Sequence, residues 1–223
     1  HWNEESIFMC LDPGNDEFGF EGDEVIISTG ERKSVEDYKS VTNERTVPHS
    51  TAKRCHYHGK PYFVGAIARL LLLGERLEGR AGEWFSRTYS KAWRVNPLYN
   101  TLAQAIETVY ALERLQVLVD TIVEEGEVEI VPPKRKKGEA TGAVEAPRGT
   151  LYHHYEVKNG LVSGCDLVIP TTQNLDHMEA MMRRAAEELV EEEERMLPVL
   201  EMVVRAYDPC ISCSAHLVEV HRI

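Results

Sequence analysis

The segment Arg205-Ala206-Tyr207-Asp208-Pro209-Cys210-Ile211-Ser212-Cys213-Ser214-Ala215-His216 places two thiols three positions apart, with an acid just before them and an imidazole just after. Pro209 fixes its own φ and turns Asp208 away from helix, so the cysteines are entered through a turn or extended loop. Such a loop can close on one soft metal ion, because thiolate sulfur selects soft or borderline metals and loses its proton readily beside a cation. Taken alone, Cys-x-x-Cys serves equally as half a zinc knuckle, a redox dithiol or two small buried apolar side chains.

The rest of the 223 residues narrows this. The chain is long enough to bury a core without staples, and 43% hydrophobic with 28% charged residues is ordinary for a globular protein. A net charge of -12 argues against binding a phosphate backbone. The one basic run, Lys134-Arg135-Lys136-Lys137, lies beside Pro132-Pro133 and reads as a solvated loop. Five cysteines, Cys10, Cys55, Cys165, Cys210 and Cys213, do not form a disulfide framework, and a reducing cytosol suits them better. No membrane span or signal is visible. The first residue is His1 rather than methionine, so a fragment or processed form is expected.

Residues 1–60 form the least certain part, with a strand at Val25 to Gly30 and turns at Gly14-Asn15 and Gly22-Asp23. Cys55-His56-Tyr57-His58-Gly59 could be a metal corner, although surface histidines in a loop are favoured. Phe63 to Leu77 has helical spacing, with Arg69 among apolar neighbours. Asn96-Pro97 opens a long helix ended by Gly126, and its stripe of Leu98, Leu102, Ala105, Ile106, Val109, Leu112, Val119 and Ile122 is expected to be core. Glu107, at the stripe's edge, reads as a solvated acid. A short strand is expected at Glu127 to Val131. Leu151 to Val157 and Leu161 to Ile169 read as strands around the Asn159-Gly160 turn, with Arg148 delivered by a Pro-Gly corner. Pro170 to Asn174 is expected to be a loop leading to a helix capped by Asn174 or Asp176. Glu191 to Glu194 reads as a solvated acidic turn partnered by Arg195, and Pro198 as the start of a last short helix.

Three proline-stiffened bends, at Glu145 to Thr150, Pro170 to Asn174 and Asp208 to His216, thus offer a guanidinium, two hydroxyls, two thiols, a carboxylate and an imidazole. Meeting in space, they would hold a soft metal with hydrogen-bond donors beside it. On these residues the chain resembles the C-terminal half of the large subunit of nickel-iron hydrogenases. The ending matches that family's Asp-Pro-Cys-x-x-Cys-x-x-His. Glu-x-Pro-Arg-Gly at Glu145 to Gly149 and Pro-Thr-x-x-Asn at Pro170 to Asn174 follow in order, and Val64 to Arg69 and Asn96 to Glu107 resemble two of its helices. His153-His154-Tyr155 and residues 170–174 look more like the cytosolic branch that serves soluble electron carriers.

The resemblance implies an α+β, predominantly helical fold forming a single domain over 1–223, in which a long helix packs with further helices and a small hairpin or sheet. It implies reversible heterolytic cleavage of dihydrogen at a nickel-iron centre whose iron carries carbonyl and cyanide. Cys210 would be a terminal nickel ligand and Cys213 would bridge nickel to iron. Arg148 would lie over the cyanides with Asp208 orienting it, and Pro170 and Thr171 would line them. His216 and the carbonyl oxygen of Leu167 would bind magnesium. The proton would go to the Cys210 sulfur or, second in rank, to Arg148. An iron-sulfur small subunit, a maturation protease and nickel-insertion proteins would be partners, and residues 217–223 a processing peptide.

The family's Arg-x-Cys-Gly-x-Cys segment does not occur in these residues, and Cys10 and Cys55 do not replace it. The chain alone is therefore expected to be inactive. Two other readings compete: a coupling subunit of a respiratory complex, disfavoured because Cys210 and Cys213 are both present, and a zinc or redox module, which leaves the other two motifs unexplained.

Overall fold

The structure, a computed structural model, describes residues 6–125 and 137–212. Its elements are β1 (Ile7–Asp12), β2 (Glu24–Ile27), β3 (Arg32–Ser34), α1 (Tyr38–Thr42), β4 (Arg45–Val47), β5 (Ser50–Arg54), β6 (Tyr62–Phe63), α2 (Ala66–Leu73), α3 (Gly79–Thr88), α4 (Tyr99–Glu125), β7 (Gly138–Ala146), β8 (Gly149–Lys158), β9 (Leu161–Val168), α5 (Pro170–Glu188) and α6 (Glu193–Tyr207). The class is α+β, as expected. Cys213, His216, the tail 217–223, the strand expected at Glu127 to Val131, the helix end at Gly126 and most of the basic run lie outside the described residues.

A four-stranded sheet ordered β3-β2-β1-β6 divides the core. Its inner strand β1 is antiparallel to β2, with Met9 opposite Ile27, and parallel to β6, with Phe8 opposite Phe63. Side chains alternate between the faces of a strand. Phe8 and Cys10 accordingly join Ile26, Phe63 and Ile67 on one side, where Trp93, Ile106, Met181 and Tyr207 pack. Met9 and Leu11 join Val25, Ile27, Tyr38, Tyr152 and Val168 on the other. A strand buried on both faces reads as one apolar run without alternation, so Ile7–Asp12 carries no period-2 signal.

Strands β7, β8 and β9 form a second, antiparallel sheet in that order. Asn159 and Gly160 take positive φ of 54° and 76° in the β8–β9 turn, the geometry that an Asn-Gly hairpin demands. The expected strand pair is present, and a third strand, β7, pairs with β8 from Gly138↔Val157 to Ala146↔Gly149. Arg148 therefore sits in a two-residue turn between paired strands. The sheet is fastened to the first one where the Glu145 N–H donates to the Phe20 carbonyl at 2.7 Å.

Several helical expectations change. Pro170 to Asn174 is not a loop: Pro170 occupies the first position of α5 with Ile169 as cap, where its missing N–H costs nothing. Pro198 lies inside α6 rather than at its start. Asn96 accepts from the Leu98 N–H at 3.0 Å, but continuous helix begins two residues beyond Pro97, at Tyr99. The apolar stripe of α4 is core only in its first half. Ala103 and Ile106 are buried, whereas Leu112, Leu115, Val119 and Ile122 are 63%, 54%, 46% and 66% exposed. The acidic run is exposed and Arg195 pairs with Glu192 as expected, but only Glu191 and Glu192 lie in the connection, and Glu193 and Glu194 open α6.

Candidate functional site

Two asparagines place the elements that meet at the chain's cysteine end. Asn100, buried on α4, accepts from the Ile67 N–H at 3.0 Å and donates to the Ala206 carbonyl at 2.7 Å, linking the start of α2 to the last turn of α6. Asn174, in the first turns of α5, accepts from the Val64 N–H at 2.9 Å and donates to the carbonyls of Val64 and Arg148 at 3.3 and 3.1 Å. Two glycines permit the close approach. A Cβ on Gly65 (φ 111°) would lie 2.9 Å from the Arg148 carbonyl oxygen, and one on Gly149 (φ 135°) would lie 2.2 Å from a Val64 methyl.

Helix α6 stops at Asp208, which adopts the left-handed conformation (φ 48°) and donates its N–H to the Arg205 carbonyl at 3.1 Å. This reversal turns the acid toward the β7–β8 turn. Arg148 Nη2 lies 3.0 Å from Asp208 Oδ2, and Arg148 Nε donates to the Asp208 carbonyl oxygen. Two residues on, the Cys210 N–H donates to Thr171 Oγ1 at 3.4 Å, and Cys210 Sγ lies 3.2 Å from Ser212 Oγ. The three motifs converge as the sequence implies. Arg148 comes from a hairpin turn, Thr171 from a helix start and Cys210 from a helix exit. Pro170 and Thr171 are buried, Cys210 is half-buried, and Leu167 is 41% exposed in β9. The other expected ligands, Cys213 and His216, lie outside the described residues.

Glu107 is corrected outright. It is buried, not solvated, and receives Arg69 Nε at 2.5 Å and Nη2 at 2.6 Å, while Arg69 Nη1 pairs with Glu145. Burial raises the Glu107 carboxyl pKa, and Arg69 only partly offsets it. Burial pulls the Arg69 guanidinium down, but Glu107 and Glu145 outweigh that and hold it above its ordinary value. The sequence signals were an arginine inside an apolar helix and an acid on an apolar stripe.

Two of the other cysteines are inert by environment. Cys10 and Cys55 belong to the two different halves of the core. Burial pushes the Cys10 thiol well up and the Cys55 thiol to about 12. The Cys55 to Gly59 corner gathers no ligand set among the described residues. Among the described residues the one triplet of suitably close metal-binding side chains is Glu139, His154 and Glu156, at the opposite end of the β7–β8 pairing from Arg148.

The family model for nickel-dependent hydrogenase matches residues 21–216, and the chain belongs to that family. Among its relatives are the alpha subunits of sulfhydrogenase 2 and sulfhydrogenase 1 of Pyrococcus furiosus. They are 45% identical over 89% of this chain and 41% identical over 95% of it. Those alignments cover 48% and 50% of the relatives, so the chain spans about half the length of the curated proteins it matches. A crystal structure of an NAD+-reducing [NiFe]-hydrogenase in the H2-reduced state superposes with a TM-score of 0.82 at 28% identity, covering 96% of this chain and 51% of that one. A [NiFeSe] hydrogenase from Desulfovibrio vulgaris Hildenborough shares the fold at a TM-score of 0.66 and 18% identity.

Proposed function

We propose that this chain supplies the C-terminal part of a hydrogenase catalytic subunit, which splits dihydrogen reversibly and heterolytically into two protons and two electrons. The observation that carries this reading is the junction of Arg148, Asp208, Thr171 and Cys210, in a chain that belongs to the nickel-dependent hydrogenases.

The donor chemistry fits a nickel-iron centre. Cys210 offers a half-buried sulfur 3.2 Å from Ser212 Oγ, on a residue whose N–H is held by Thr171 and which follows the Asp208 that grips Arg148, and thiolate sulfur suits a soft or borderline metal. Cys210 and Cys213 would be the thiolates from this chain that hold the nickel-iron centre. Leu167, through its carbonyl oxygen, and His216 would hold magnesium. When bound, the centre supplies Lewis acidity and takes up the two electrons.

The residues of the chain do the rest. The Cys210 sulfur would accept the proton, and the Arg148 guanidinium, paired with Asp208, acts as a hydrogen-bond donor. Thr171 Oγ1 already accepts from the Cys210 N–H, which leaves its own proton to donate to an anionic ligand such as cyanide. Asp208 fixes the direction of the guanidinium, and Pro170 starts the helix that carries Thr171.

No Arg-x-Cys-Gly-x-Cys occurs in the 223 residues, so two further thiolates come from outside them. The name "subunit alpha" of the Pyrococcus relatives supports a multisubunit enzyme with an iron-sulfur small subunit as partner. No helix of the described residues is long and apolar enough to cross a membrane. The odd number of cysteines supports a reducing, cytoplasmic setting, where nickel-insertion proteins and a maturation protease would serve the enzyme. The test is hydrogen-dependent reduction of a viologen dye by the assembled enzyme. Cys210→Ser should abolish it, whereas retention of more than a tenth of the parent rate would refute the assignment.

A further inference from the structure

Arg69 uses its whole donor set. Nε and Nη2 go to the two oxygens of Glu107, Nη1 goes to Glu145, and the remaining protons of Nη1 and Nη2 go to the carbonyls of Ala146 and Pro147 at 3.1 and 3.2 Å. A guanidinium has five N–H donors, and here each has an acceptor. Glu145 is fixed in turn, since its Oε1 accepts from the Leu11 N–H at 2.8 Å and from Thr150 Oγ1 at 2.7 Å. Asn174 takes the next carbonyl, that of Arg148. Three consecutive carbonyls, on residues 146 to 148, are thus held by buried side chains from α2 and α5.

The cluster carries two carboxylates against one guanidinium, with all three residues 7% exposed or less. Replacing a buried ion cluster by apolar residues of similar volume is often neutral or stabilising, so net stability is a weak account of it. What an apolar trio could not do is aim the Ala146 and Pro147 carbonyls, and that aim sets where the Arg148 side chain leaves the turn. Asp208 grips the far end of the same side chain.

We propose that Arg69 and Glu107 are positioning residues for Arg148, holding its turn so that the guanidinium meets Asp208, two residues before Cys210, in one fixed orientation. The role rests on the reading of Arg148 given above. It deepens that reading by extending the functional unit to two helices, α2 and α4, that carry none of the cysteines.

The test uses the nickel-loaded hydrogenase containing Glu107→Gln, Arg69→Lys or Arg148→Lys, and the double variant Glu107→Gln with Arg148→Lys. Glu107→Gln keeps the shape of the side chain and removes a buried charge, so it folds even if Arg69→Lys does not. Expected for Glu107→Gln are a fall in kcat of tenfold or more, a KM for dihydrogen within twofold of the parent and an unchanged nickel content. The Arg148 Nε–H, followed by 15N NMR, should exchange at least tenfold faster. Added to Arg148→Lys, Glu107→Gln should change kcat by less than twofold, because the residue it positions is already gone. A kcat within twofold of the parent, an unchanged exchange rate, or losses that multiply in the double variant would each overturn the proposal. If Arg148→Lys alone leaves kcat unchanged, the role given to Arg148 fails instead, and the two failures are distinguishable.

Discussion

His177 shows how a single buried side chain holds the end of α6. Its Nδ1 lies 2.5 Å from the Tyr207 hydroxyl and its Nε2 2.6 Å from Ser6 Oγ, and its ring stacks on Phe63. Tyr207 immediately precedes Asp208, so the contact fixes the residue from which the site's acid is turned. Burial, with a smaller push from Arg184, lowers the imidazole pKa to about 3. The unfolded chain takes up this proton near the ordinary value of about 6.5, and the folded chain does so only near 3. Stability linked to His177 is therefore complete above pH 6.5 and is lost as the pH falls toward 3. Between pH 7 and pH 5 the loss should be roughly 2 kcal/mol. Urea unfolding of parent and His177→Gln at both pH values measures it. The parent should lose about that much more than the variant, and parallel losses would contradict the assignment.

At the scale of the element, the two turns of the β7-β8-β9 sheet contain glycines with different work. Gly149 has φ 135° and no room, since an added Cβ would meet a Val64 methyl at 2.2 Å. Gly160 has φ 76° and nothing within 4 Å. Gly149→Ala should cost about 3 kcal/mol, from a disfavoured φ plus a forced shift of Val64. Gly160→Ala should cost only about 1 kcal/mol, from φ alone. Chemical denaturation of both variants checks this, and equal costs would show that the Val64 contact is slack. The same turns differ in legibility. Asn159-Gly160 announces its hairpin because few dipeptides reach two positive φ values. Pro147-Arg148 does not, because β7 is poor in branched and aromatic residues and is held by its partner strand rather than by its own propensity. Pro170-Thr171-Thr172 likewise reads as loop from proline and β-branched residues, yet a proline at the first helical position is compatible with helix. Pairing and burial settle both cases, and neither is visible in a local window.

Across the whole molecule, the sequence motifs locate the site and the long-range contacts explain it. Arg148, Thr171 and Cys210 were legible as a set because each lies in a proline-marked motif, and the structure joins them through Asp208 and Asn174. The Arg69 cluster was not legible as a cluster, since its members come from α2, α4 and β7 and Glu107 alone reads as a solvated acid. Nor was the central place of β1, whose two buried faces erase the alternation that marks a strand. The stripe of α4 misled in the opposite sense. Helical periodicity says which face is apolar but not how much of its length is covered, and Leu112 to Ile122 stay exposed.

The Cys210 sulfur and the Arg148 guanidinium are proposed to serve one nickel-containing site, and nickel-edge X-ray absorption on the assembled hydrogenase, parent against Cys210→Ser, reads this out. One fewer sulfur neighbour per nickel, or loss of nickel altogether, is expected in the variant. An unchanged sulfur shell at full nickel occupancy would contradict it.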